Sequence, residues 1–73
     1  MNISEKTICC LGGVIFDNLE ATCRAIYHAK RGELMESFGV YAKHATSVQM
    51  AKVKSRTGVE GWMNVKSFVE VIL

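Results

Sequence analysis

The chain contains no proline, no internal repeat and no low-complexity stretch. Proline-rich spacers and repeat arrays are thereby excluded, and glycine is left as the main punctuation. Long hydrophobic runs are missing too. The longest, Ile8 to Phe16, covers nine residues, whereas a membrane-crossing helix needs about 20. The same run makes a poor export signal, because Glu5 offsets Lys6 ahead of it and no small-x-small cleavage pattern precedes Asp17. The expectation is a chain with no membrane partner, placed in the cytoplasm.

Cysteine is scarce and unpaired in pattern. Cys9, Cys10 and Cys23 are odd in number, which fits reduced thiols better than a disulfide framework. With His28 they lack the C-x2-C spacing of a zinc site, so no metal and no cofactor is expected. Acids stand singly, without the paired spacing that acid–base catalysis uses. Gly12-Gly13 lacks the further glycine and lysine of a phosphate-binding loop. An enzyme is not expected.

What is present is apolar substance in a short chain. Of 73 residues, 49% are hydrophobic, and the mean hydropathy is slightly positive. A domain this small buries only about 60% of its extended-chain surface. Excess apolar surface favours self-association, so one small domain forming a homodimer is the reading.

Helical signals dominate the middle of the chain. Asp17 and Glu20 make a capping-box pattern ahead of a helix over Asn18 to Arg31, with Leu19, Cys23, Ile26 and Tyr27 at spacings of three and four. Lys30 and Arg31 suit the last turn and Gly32 a left-handed stop. A short helix fits Glu33 to Phe38, and a third fits Ala42 to Arg56 with Gly58 as terminator. The leader, Thr7 to Phe16, leans towards strand with Gly12-Gly13 as a bend. The tail, Trp62 to Leu73, fits strand or helix, its valines favouring strand. Such a tail either pairs with the leader or meets a partner chain. The fold class expected is mainly α, three helices with short β at the two ends.

The stretch GELMESFGVYAKHATSV then invites a specific comparison. With Gly39 as the turn glycine, Leu34, Phe38, Val40, Ala45 and Val48 fall where a helix-turn-helix needs apolar residues. Met35 departs from the small residue usual four places before that glycine. Over residues 31–48 the chain resembles the helix-turn-helix of small phage and bacterial regulators, the Cro and CI repressor type. The resemblance implies a DNA-binding transcriptional regulator, its third helix reading double-stranded DNA with Tyr41, Lys43, Thr46 and Ser47. His44 adds charge at lower pH. Lys30, Arg31, Lys52, Lys54 and Arg56 become phosphate contacts. Charge placement agrees, since no acid lies between Ser37 and Val59 although the net charge is only +2.

The competing reading is a non-enzymatic protein-binding factor, inhibitor-like, antitoxin-like or a phage host-takeover protein. Its surface is the apolar tail: Trp62, Phe68, Val69, Val71, Ile72 and Leu73. The same residues serve as the dimer interface in the regulator reading.

Overall fold

A computed structural model describes residues 6–71 of the chain. They form a single antiparallel sheet of seven strands. In chain order these are β1 (Lys6–Cys10), β2 (Gly13–Phe16), β3 (Ala25–Ala29), β4 (Leu34–Lys43), β5 (Gln49–Lys54), β6 (Glu60–Asn64) and β7 (Phe68–Glu70). One 3-10 turn, Val65–Ser67, separates β6 from β7 and is capped by Asn64, whose side chain accepts from the Lys66 N–H. Across the sheet the order is β3-β2-β6-β5-β4-β1-β7.

That order forces the sheet to roll up. β1 and β2 stand four strand steps apart, about 19 Å on a flat sheet at ~4.8 Å per step. Yet only Leu11 and Gly12 separate them in the chain, a reach of roughly 10 Å. The two strands are therefore one bent strand that serves both ends of the sheet. The bend is held by Leu11 N–H to Ser67 O at 2.7 Å and by Gly32 N–H to Cys10 O at 2.7 Å. Gly12 sits at φ +100°, in the left-handed region open to glycine.

Inside the roll lie Ile8, Cys10, Ile15, Met35, Ala51, Val53, Met63 and Phe68, with Ala29 beside them. The pattern that places them has period two. On β5, Ala51 and Val53 point inward and are followed by Ser55, while Lys52 and Lys54 point outward. On β6, Gly61 and Met63 point in, Trp62 and Asn64 out. Each large core side chain contributes about 1.5–3 kcal/mol by leaving water. Buried Ser55 keeps its hydroxyl satisfied by the Val59 N–H at 3.0 Å and Thr57 Oγ1 at 2.9 Å.

This architecture overturns the mainly α expectation. No α-helix occurs among the described residues, neither over 18–31, nor 33–38, nor 42–56. Asp17, read as the helix cap, and its neighbour Asn18 do hydrogen-bond to backbone N–H groups, but they build a loop. Asp17 Oδ1 accepts from the Arg24 N–H at 2.9 Å, and Asn18 Oδ1 from the Glu20 N–H at 2.7 Å. Gly32, read as a helix stop, occupies the β3–β4 turn at φ +91°.

The helix-turn-helix resemblance falls with the helices. Gly39 is left-handed, at φ +73°, as a turn glycine would be. It lies within β4, in the segment where the β4–β5 register shifts between Ser37 and Tyr41. A glycine in a bulge and a glycine in a helix–helix turn meet the same backbone demand. The first and last regular elements among the described residues are strands, as is nearly everything regular between them, and β7 pairs with the leader strand β1. Among the described residues no helix is long and apolar enough to cross a membrane.

Candidate functional site: a recess between two loops

The outer face of the β4–β5–β6 meander carries an apolar recess of about 310 Å³. Strand register sets its floor. Met50 stands opposite Ala42 on one side and Asn64 on the other, and Phe16 stands opposite Trp62. Two loops make the walls. The β2–β3 connection supplies Cys23, and the β4–β5 turn supplies His44, Thr46 and Val48. The Ala45 N–H donates to Leu19 O at 2.8 Å and ties one loop to the other.

Side-chain bonds cross the same seam. Cys23 Sγ lies 3.2 Å from His44 Nε2. On the far side of the ring, Nδ1 accepts the Thr46 backbone N–H at 3.1 Å and lies 2.9 Å from Thr46 Oγ1. A backbone N–H can only donate, so Nδ1 is the acceptor and the neutral ring carries its proton on Nε2. His44 therefore donates to the Cys23 sulfur. The Phe16 ring lies 6.5 Å from the His44 ring, tilted by 45°. Ser47, the next residue along, is the one non-glycine at positive φ among the described residues, at +70°.

Beside the recess, the Lys52 ammonium lies 5.8 Å from the centre of the Trp62 ring, a cation–π contact. Lys54 is placed differently. Its cross-strand neighbours are Glu36 on β4 and Glu60 on β6, an acid on each side.

The residues expected to contact DNA are dispersed. Lys30 and Arg31 lie exposed in the β3–β4 turn. Tyr41 and Lys43 are exposed in the second half of β4, and Arg56 is exposed in the β5–β6 turn. Thr46, Ser47 and His44 share the β4–β5 turn, the first two exposed and His44 half-buried. No helix presents any of them to a groove.

The apolar tail is also divided. Trp62 faces outward beside the recess, whereas Phe68 is buried in the core. Val69 is exposed on β7 and Val71 is half-buried; Ile72 and Leu73 lie outside the described residues. Sequence reasoning missed Phe16, Met50 and Asn64 as neighbours of one site, and read Cys23 as a reduced thiol on the apolar face of a helix. Cys23 and His44 are 21 positions apart and meet only because the sheet rolls up. Among the described residues, no group of three or more histidines, cysteines and acids is arranged to hold a metal ion.

No protein family, curated protein or solved structure matches this chain.

Proposed function

We propose that the protein is a non-enzymatic binding module that docks an extended segment of a partner protein across its outer face. The observation that carries this reading is the apolar recess itself, walled by Phe16, Val48 and Met50 with a few polar groups at its rim. That composition is what anchor pockets use: apolar walls for burial, sparse polar atoms for orientation. Lys52 faces Trp62 rather than an acid, so a segment carrying an acidic residue next to an apolar anchor is the matching occupant.

His44 supports the non-enzymatic side of the reading. Its Nε2–H points at sulfur, so the ring is not placed to take a proton from the thiol. A DNA-binding role has less support. Lys54 has an acid as cross-strand neighbour on each side, and Lys30, Arg31 and Arg56 lie at the opposite end of the β4–β5 pair from Lys43, His44, Thr46 and Ser47, which splits the expected phosphate contacts in two. Free thiols at Cys9, Cys10 and Cys23 suit the reducing cytoplasm. The expected homodimer has its own candidate surface. Leu34, Cys9 and Val69 lie in one cross-strand row on the outer face, with Leu34 and Val69 exposed. Sedimentation velocity of the wild type against Val69→Glu tests it, with a dimer that dissociates in the variant as the expected result.

Trp62 is the only tryptophan and stands opposite Phe16, which lines the recess, so its emission is expected to respond to occupancy. Short peptides selected from a random display library are to be titrated while that emission is followed. Val48→Glu at the rim and Lys52→Glu beside it are each expected to weaken the selected peptides by about tenfold or more. Peptides that bind both variants as well as wild type would remove the recess from the reading. Failure to select any peptide, with steeply salt-dependent quenching by oligonucleotides instead, would restore nucleic acid as the partner.

A further inference from the structure

We infer that the Cys23–His44 pair is a thiol-exchange site, at which Cys23 forms a mixed disulfide with a small, uncharged, largely apolar disulfide seated in the recess. Three free cysteines occur among the described residues, and they stand in three different settings. Cys10 is fully buried, and its sulfur accepts the Gly12 N–H at 3.2 Å. Cys9 is half-buried on the outer face between Leu34 and Val69, with Cys10 O as its contact at 3.9 Å. Cys23 alone combines partial exposure, an adjoining cavity and an N–H aimed at its sulfur from 3.2 Å.

The direction of that hydrogen bond selects the chemistry. Ligation of a soft metal by Nε2 would need this nitrogen bare and Nδ1 protonated. The Thr46 N–H, 3.1 Å from Nδ1, opposes that arrangement. An Nε2–H pointed at sulfur instead stabilises negative charge there, and the thiolate is the attacking form in exchange. In the step, the Cys23 sulfur attacks one sulfur of the small disulfide. A new S–S bond forms, the old one breaks, and the departing thiolate takes from solvent the proton that the Cys23 thiol released. No external oxidant is consumed. Phe16, Val48 and Met50 line the space next to Cys23 and favour an uncharged co-reactant over a charged one. The adduct occupies the recess, so it would block docking; that consequence rests on the docking reading, whereas the exchange itself does not.

The test uses the reduced wild-type chain, without any partner, exposed anaerobically to 2-hydroxyethyl disulfide or to glutathione disulfide. Tandem mass spectrometry of the tryptic peptide spanning residues 7–24, which holds all three cysteines, locates the adduct. Cys23 is expected to react about tenfold faster than Cys9 or more, with the uncharged reagent ahead of the charged one and Cys10 unreacted. His44→Phe, which keeps a ring beside Phe16 but lacks the N–H, is expected to slow Cys23 several-fold, and His44→Gln, which retains a donor, to recover part of the rate. Reaction at Cys9 as fast as at Cys23 would overturn the proposal in the wild type alone. So would an unchanged rate in His44→Phe whose circular dichroism matches wild type.

Discussion

Tyr27 shows how one side chain ties a strand to a turn. Its hydroxyl donates to the Glu33 carboxylate. That hydrogen bond, then partial burial and the carboxylate's charge, raise its pKa above the ordinary value, while Thr57 and Arg56 pull weakly the other way. A raised folded-state pKa favours the neutral phenol in the native protein. The resulting stability is fully present below the unfolded value near pH 10 and is lost as pH rises through the higher folded value. Urea midpoints between pH 8.5 and 11 are therefore expected to fall more steeply for wild type than for Tyr27→Phe. Ser47 stores strain at the same scale. An L-residue at φ +70° costs about 1 kcal/mol or more, so Ser47→Gly is expected to raise the unfolding free energy by roughly 0.5–1 kcal/mol in denaturant titrations. A loss on that substitution would mean that the Ser47 side chain supports the turn in another way.

Among the elements, β6 has the least tolerance. A Cβ on Gly61 would run into the Phe16 carbonyl oxygen and stand 2.5 Å from Ile15 Cγ2. Glycine is what lets β2 lie against β6. Gly61→Ala is expected to cost about 2–4 kcal/mol, read from the shift in urea midpoint at unchanged slope. The alternation of β5 was legible in the sequence. Lys52, Lys54 and Arg56 recur every second residue, with Ala51, Val53 and Ser55 between them, a strand's period rather than a helix's. Counting those lysines as one charged helix face concealed it. The leader and tail showed their β character through valine and isoleucine. The segment over Asn18–Arg31 did not, because Asp and Asn offer a side-chain acceptor to backbone N–H groups in loops as readily as at helix starts; here Asn18 closes a local turn to Glu20 and Asp17 reaches seven residues on to Arg24. The spacing of Leu19, Cys23, Ile26 and Tyr27 was coincidental, since Leu19 and Cys23 belong to the loop and Ile26 is exposed on β3.

At the scale of the whole molecule, the decisive contacts are distant in sequence. β1 meets β7, the leader–tail pairing that the apolar tail pointed to, but β2 meets β6 and Cys23 meets His44 with no local pattern to announce them. The recess was for that reason invisible to sequence reasoning, although Cys23, His44 and Trp62 were each considered. Non-local strand pairing also sets the folding speed. Refolding followed by Trp62 emission is expected on the millisecond-to-second scale, and a microsecond rate would contradict this topology. The tie between Ala45 N–H and Leu19 O works as a clasp across the recess. Its amide can exchange with deuterated solvent only when the two loops part, so the exchange rate at Ala45 is a gauge of how often the recess opens. Anything lodged beneath the loops that holds the clasp shut should slow that single amide ahead of its neighbours, and anything that props the loops apart should release it.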